Sequence, residues 1–363
     1  MGTSKTEEQR YQAVLVGTGM VAGTHLAALA AASNQIDLRG VCARTSQSAR
    51  QFCEKAEALL GHDVRIYDDA KAIARDPAVD FVIIATPPNA RASLIRPLAE
   101  AGKHILLEKP VARTSRQAEE IVALCENAGI TLGVVFQHRL RAASRQAARM
   151  IASGDLGALG LVEIAVPWWR EQSYYDEPGR GTYVRDGGGV LISQAIHSID
   201  LALSLAGPVI SVQAMAATTR FHRMEAEDFV SAGLRFENGA VGSLLASTAS
   251  FPGAPETITL HFDKASLKLV SGQLQVSWRD GCEQIIGAET ASGGGADPMA
   301  FSHEGHQAVI EDFADALSRR RLPLASGRDA LSAHALIDAI VISSRDGRRI
   351  DIDPDQPITE APA

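Results

Sequence analysis

An apolar run, Val14-Leu15-Val16, enters the turn Gly17-Thr18-Gly19-Met20-Val21-Ala22, and an alanine-rich helical pattern follows at once. In a Gly-x-Gly-x-x-Ala turn between strand and helix, the first glycine permits a tight bend. The second keeps a Cβ out of the path of an approaching pyrophosphate, and the small sixth residue lets the helix lie close to the strand. The helix start then offers N–H groups and partial positive charge to phosphate oxygens. The front of this chain is therefore expected to be a dinucleotide-binding domain, with Gly17, Thr18, Gly19, Met20 and Val21 at the phosphates.

At 363 residues the chain is long enough for about two domains. A formal net charge of -8 argues against a nucleic-acid surface, which needs a basic stripe. The most basic stretches, Arg139 to Arg149 and Arg319 to Arg321, read as solvated helix faces or ends. Met1 to Gln12 is polar, without the apolar core of a signal peptide, and no apolar run approaches the ~20 residues that cross a bilayer. The reading is a cytoplasmic protein with no membrane partner. Cys42, Cys53, Cys125 and Cys282 have neither zinc-type nor redox-pair spacing and read as buried or half-buried thiols.

Strand and helix patterns alternate up to about residue 137. Strands are expected at 12–16, 36–42, 81–85, 104–107 and 130–136, with helices around 48–60, 90–101 and 115–128. That order implies a doubly wound parallel sheet, with ligands collecting at the carboxyl ends of its strands. Thr86-Pro87-Pro88-Asn89 and Glu108-Lys109-Pro110 fall there. After residue 150 strand patterns dominate, at 161–166, 209–216, 257–262, 266–270 and 274–278, with a hairpin of 230–236 and 240–247 around Glu237-Asn238-Gly239. Helices at 190–205 and 306–319 interrupt this half, Gly293-Gly294-Gly295 marks a flexible loop, and 330–344 is helical. The division expected is residues 1–137 and 138–363, an α/β domain followed by an α+β domain with a large, open, mainly antiparallel sheet.

Four segments in order now carry a family resemblance: Gly17 to Ala22; Ala85-Thr86-Pro87-Pro88-Asn89; Ala101-Gly102-Lys103-His104-Ile105-Leu106-Leu107-Glu108-Lys109-Pro110; and Gly187-Gly188-Gly189 running through Ser193, Gln194 and His197 to Asp200. The chain resembles the Gfo/Idh/MocA oxidoreductases over nearly its whole length. The resemblance implies a Rossmann domain, a C-terminal domain that binds substrate and builds dimers or tetramers through its sheet, and hydride transfer between a nicotinamide and a sugar, cyclitol or related hydroxyl. It implies that Thr86, Pro87, Asn89, Glu108 and Lys109 line the cofactor, and that Lys109 and His197 match the family's catalytic lysine and histidine. The chemistry suits those residue types: an imidazole titrates near neutral pH and can take a hydroxyl proton, while an ammonium can hold the substrate oxygen and stabilise alkoxide charge.

One departure stands out. Many polyol-oxidising members have aspartate where this chain has Ser193, four residues before His197. Serine cannot stabilise an imidazolium with a full charge, so a Lys109/His197 pair is favoured, with Ser193 or Gln194 contacting substrate. Asp200 is either a further carboxylate for the site or a helix-surface residue. At the end of the second strand, Val41 to Ser46 holds no acid to bind the adenosine ribose, and Arg44 with Thr45 tilts the cofactor from NAD toward NADP. Substrate specificity is expected from Trp168, Arg170 and Tyr183, since aromatic faces suit sugar C–H surfaces and Arg and Tyr direct hydrogen bonds; anchoring of the loop to the core is the bland alternative for the tryptophans.

No metal is expected. His222 to Asp228 reads as a solvated loop and strand entrance, and His303-Glu304-Gly305-His306 lacks the spacing of a zinc helix, leaving His306 a helix-start residue or a substrate contact. The reading is an NAD(P)-dependent oxidoreductase on a sugar, cyclitol, sugar acid or sugar conjugate, in a variant of which a tightly held cofactor shuttles between two sugars. The competing class is a sugar or nucleotide sensor that kept the fold without turnover.

Overall fold

The computed structural model describes residues 10–289 and 302–353. The glycine loop expected at 293–295 and the first nine residues of the polar N-terminal stretch lie outside the described residues. The described residues form two compact units, one of residues 10–112, 119–137 and 302–329, the other of 113–118, 138–289 and 330–353.

The first unit is built on β1 (Tyr11–Val16), β2 (Ile36–Cys42), β3 (Arg65–Ile66), β4 (Phe81–Ile84), β5 (His104–Leu107) and β6 (Leu132–Val134). All neighbours pair in parallel, in the order β3-β2-β1-β4-β5-β6. This is the doubly wound order that reverses direction next to β1. Helices cover both faces, so the central strands read as unbroken apolar runs; every residue of β4 is buried. β3 and the short helix Ala70–Arg75 have too little length to show a period and were not expected.

The sequence pattern assigned the helix near 306–319 to the second half. The structure places Glu304–Arg319 in the first unit instead. Phe313 lies edge-on to Phe81 at 5.3 Å between ring centroids, and Ser318 Oγ is 3.0 Å from Tyr11 Oη. A Cβ on Gly133 would come within 2.7 Å of the Phe313 ring, so β6 is shaped to receive this helix. Periodicity identifies a helix and its apolar face but not the sheet that the face will cover.

The second unit carries β7 (Leu159–Pro167), β8 (Val209–Ala217), β9 (Phe229–Phe236), β10 (Val241–Ser247), β11 (Thr257–Phe262), β12 (Ala265–Val270), β13 (Gln273–Trp278), β14 (Glu283–Ile286) and β15 (Ile350–Asp351). Their order is β14-β13-β12-β11-β7-β10-β9-β8-β15, antiparallel except where β10 runs parallel to β7. The hairpin of β9 and β10 forms around the expected Asn238-Gly239 turn, with Ser247 opposite Phe229. Val162, Ile164 and Val166 point to the face covered by helices Ala142–Ala152 and Ile196–Ala206, while Leu161, Met215, Val241 and Leu245 are exposed. No helix among the described residues is long and apolar enough to cross a membrane.

Candidate active site

In the first unit the glycine turn leaves β1 with Gly17 at φ +103°, where a Cβ would stand 2.9 Å from the carbonyl of Ala85. Glycine is required here by both conformation and space. Gly19 is different: a Cβ there would meet nothing within 4 Å, so the turn faces open space. Met20 is exposed, Thr18 and Val21 are half-buried, and no side chain caps the helix Ala22–Ala31 that follows. At the end of β4, Thr86 Oγ1 is buried and has no hydrogen-bond partner, beside exposed Pro87 and Asn89. An open glycine turn, an uncapped helix start and an orphaned hydroxyl fit a dinucleotide that approaches by its phosphates.

Arg44 and Thr45 are exposed beyond β2. Thr45 Oγ1 accepts the N–H of Ser48 at 3.1 Å and caps the helix Ser46–Leu60, so its hydroxyl already has a structural task.

At the end of β5 the two residues of interest are built very differently. Lys109 is half-buried and its peptide bond to Pro110 is cis. Glu108 is buried, with Oε1 2.8 Å from His25 Nε2 and 3.4 Å from His306 Nε2, and Oε2 accepting the Lys109 N–H at 3.2 Å. Burial alone would push this carboxyl up; hydrogen bonds and charge from the two histidines outweigh it and hold the group well below the usual carboxylate range. An ionised carboxylate only accepts, so the His25 Nε2 that faces Glu108 donates, while Nδ1 of His25 has no hydrogen-bond partner. His306 lies in the first turn of the helix Glu304–Arg319, as one of its two expected roles has it, and is there a buried partner of Glu108.

These three side chains, all buried, bring ligand-type atoms within 4.8 Å of one another. Yet two ligands of one tetrahedral zinc ion stand about 3.3 Å apart, and His25 Nε2 is 2.8 Å from Glu108, a hydrogen-bond distance. Sequence pattern alone does not reveal this cluster, because its members lie on three separate elements.

In the second unit the glycine run meets Glu227. A Cβ on Gly189 would fall 1.8 Å from the Glu227 carbonyl oxygen, which accepts the Val190 N–H at 2.8 Å. The Glu227 carboxylate accepts the N–H groups of Gly189 and Leu191 at 3.2 and 3.1 Å. The start of the following helical stretch is thus held by one buried acid, whose pKa burial raises against those N–H bonds. That stretch opens with a π-helical turn, Leu191–Ala195, and continues as the α-helix Ile196–Ala206. Such turns favour functional sites.

Ser193 and Gln194 sit in the π turn; His197 is in the first turn of the α-helix, 7% exposed. The His197 ring stacks on His138, with centroids 4.9 Å apart and planes 27° apart. Arg141 Nη2 lies 2.8 Å from His138 Nε2. Arginine only donates, so this nitrogen accepts and His138 carries no proton there. Gln194 Nε2 donates to Tyr174 Oη at 3.2 Å, which also accepts from Arg180 at 3.1 Å, while buried Gln194 Oε1 has no partner. Arg170 is buried and lies over the Trp168 ring at 5.2 Å; Trp168 itself is only 7% exposed. Tyr183 is half-buried, with its pKa raised by burial.

Several expectations for this unit need correction. Asp200 is neither a helix-surface residue nor a spare carboxylate: it is 1% exposed and takes a two-bond fork from Arg139, both bonds at 2.7 Å. The stretch Arg139 to Arg149 is accordingly not simply solvated, since Arg141 also bonds Glu256 at 3.1 Å. His222 to Asp228 is no solvated loop. His222 and Asp228 are buried partners at 2.7 Å, with His222 Nε2 on the Arg170 carbonyl at 2.8 Å. The physical reason is shared: a charged residue in a polar stretch reads as solvent-facing, but each of these meets an opposite charge far away in sequence or across a turn.

The described oxidoreductase family with an NAD-binding Rossmann fold matches residues 11–136, and the GFO/IDH/MocA C-terminal domain matches residues 144–268. The chain belongs to the Gfo/Idh/MocA oxidoreductase family. It is 27% identical to the D-apiose dehydrogenase of Paraburkholderia graminis, over 97% of this chain and 92% of that protein. It is also 27% identical to the inositol 2-dehydrogenase of Rhizobium meliloti, over 93% and 98% of the two chains. Among solved structures, the WlbA dehydrogenase of Bordetella pertussis in complex with NADH and UDP-GlcNAcA superposes with a TM-score of 0.79 at 29% identity, covering 95% of this chain and 99% of that one.

Proposed function

We propose that this family member is an NAD(P)-dependent dehydrogenase that transfers a hydride between nicotinamide and a secondary hydroxyl or ketone of a sugar, cyclitol, sugar acid or sugar conjugate. The observation that carries the reading is the open glycine turn at Gly19 with the orphaned Thr86 hydroxyl, in a chain that keeps Lys109 and His197. The relatives' names support the substrate class, as a pentose and a cyclitol dehydrogenase. Gly17, Thr18, Gly19, Met20, Val21, Thr86, Pro87 and Asn89 are assigned to the cofactor, whereas Glu108, buried with both carboxylate oxygens engaged, serves to hold the Lys109 backbone.

When bound, the nicotinamide supplies a hydride acceptor for the carbinol carbon. His197 takes the hydroxyl proton as the carbonyl forms, and Lys109 donates a hydrogen bond to the substrate oxygen, easing the build-up of negative charge. In the reverse direction His197 returns the proton. Gln194 Oε1, buried and unpartnered, is an acceptor for a substrate hydroxyl. Ser193, Arg170 and Tyr183 add donors, while Trp168, with 7% exposure, acts by supporting Arg170.

NADP is favoured over NAD, because exposed Arg44 has no carboxylate beside it from Val41 to Ser46 and suits a 2′-phosphate. Leu161 sits directly opposite Val241, and Met215 and Leu245 flank Ser231, so the open sheet face presents the apolar row of a homodimer or homotetramer. Four free cysteines suit a reducing cytoplasm; Cys42, Cys53 and Cys125 are buried as expected, while Cys282 is exposed.

The test is to supply NAD+ or NADP+ with a panel of pentoses, cyclitols, sugar acids and nucleotide-linked sugar acids, following reduced nicotinamide by absorbance. Turnover should appear with at least one class, and Lys109→Ala and His197→Ala should each lower kcat by about 10²–10⁴-fold. Unchanged rates in both variants would remove the catalytic assignment. Nucleotide binding with no turnover on any member of the panel would favour a sensor.

A further inference from the structure

Arg91 opens the helix Arg91–Glu100 and is 2% exposed. A cation at a helix N-terminus opposes the helix dipole, and a buried one loses its hydration as well. Burial draws this guanidinium down to about 10, with the Glu108 carboxylate acting in the opposite direction, so it is charged at neutral pH. Such a position is costly for stability and calls for a reason.

The reason lies in what the fork holds. Nε and Nη2 donate to the Thr86 carbonyl at 3.0 and 2.8 Å. Nη1 donates to the carbonyls of Glu108 and Pro110, and Nη2 reaches that of Lys109 at 3.4 Å. One planar group thereby gathers the carbonyl oxygens of three consecutive residues centred on Lys109 and joins them to the loop after β4. A lysine could not do this, since an ammonium has three donors on a point rather than five in a flat fork.

We propose that Arg91 is a positioning residue for the reaction: by fixing the backbone on both sides of Lys109 against Thr86, it sets where the lysine side chain begins and the direction in which it leaves the strand end. The proposal rests on the reading that Lys109 takes part in chemistry. A misplacement of about 1 Å in such a group costs about a hundredfold in rate. The sequence gives no hint of this role, because an arginine after Pro-Asn-Ala looks like an exposed helix start.

The experiment compares Arg91→Lys, Arg91→Met, Lys109→Ala and the double variant Arg91→Lys/Lys109→Ala as full-length protein. Arg91→Lys should stay folded by circular dichroism, keep its nucleotide Kd within about threefold, and lose about 10- to 100-fold in kcat. The double variant should be no slower than Lys109→Ala, because a residue that acts through Lys109 has nothing left to position. Wild-type kcat in Arg91→Lys beside a crippled Lys109→Ala would overturn the proposal, as would losses that multiply or a change confined to KM. Failure of both Arg91 variants to fold would also overturn it, marking the arginine as a folding determinant. A Lys109→Ala protein with the wild-type rate would instead remove the catalytic reading of Lys109.

Discussion

The surroundings of Lys109 and of His197 solve one problem, fixing a long or rotatable polar group, by opposite means. Lys109 follows a parallel strand, where the ladder ends and the chain is free to bend. Its peptide is therefore held through the backbone: Glu108 on its N–H and the Arg91 fork on its own carbonyl and those of its two neighbours. His197 belongs to a helix whose residues are nearly all buried, so its direction follows from helix register. Register is fixed at the start by Glu227 on the N–H groups of Gly189 and Leu191, and one turn beyond His197 by Arg139 on Asp200. Loop ends need charge to define the backbone, whereas a buried helix needs only that its start and one further point be pinned.

The sharpest way to break this contrast is at the glycines. Gly189→Ala drives a Cβ into the Glu227 carbonyl oxygen, a backbone atom that cannot swing away. It should cost more than about 4 kcal/mol, in the class of severe overpacking, and be seen as lost soluble protein or a collapsed denaturation midpoint. Gly19→Ala should do the reverse, since its Cβ enters open space. Melting should change little while nucleotide affinity falls about tenfold or more, as read by fluorescence titration; an unchanged affinity would mean that the turn does not receive the phosphates.

A smaller effect tests the packing side. His138 lies flat against His197, and aromatic pairs of this kind contribute about 0.5–1.5 kcal/mol. His138→Ala should lower kcat about threefold to tenfold by loosening the His197 ring. His138→Phe, which keeps the stack but cannot accept the Arg141 bond, should recover most of that rate. If the alanine and phenylalanine variants fall equally, the Arg141 hydrogen bond and not the stack is what matters.

The same division explains what could be read from sequence. Parallel strands buried on both faces are unbroken apolar runs, so β2, β4 and β5 were legible to within a residue. The Asn238-Gly239 hairpin was legible because turn chemistry is local. Gly17, Lys109 and His197 stood out through motifs of contiguous residues. Arg91, His25, Glu227 and His138 did not, because each acts on a partner many residues distant, and pairing across the fold leaves no periodicity. The π-helical turn at Leu191–Ala195 was invisible for another reason: the residues around it are nearly all buried, so an extra residue in one turn shifts no polar face.

The smallest effects should separate the units by pH. In the first unit burial would raise Asp76, but hydrogen bonds from Tyr67, the Ala78 N–H and Arg39 outweigh it and hold the carboxyl at about 2. A lowered carboxyl stabilises the fold above its ordinary range near 3.8, and that stabilisation disappears as pH falls toward about 2. Asp76→Asn should therefore be less stable than wild type at neutral pH, with the gap closing on acidification. Glu227 has the opposite sign: burial raises its carboxyl, so the folded state keeps the proton longer than the unfolded chain. Its contribution favours folding most below 4.5 and declines as pH rises through the raised value. Glu227→Gln should flatten that decline while keeping one oxygen for the N–H groups of Gly189 and Leu191. Urea midpoints between pH 3 and 8 for the two variants should thus diverge from wild type in opposite senses; parallel curves would show that neither acid is held as the geometry requires.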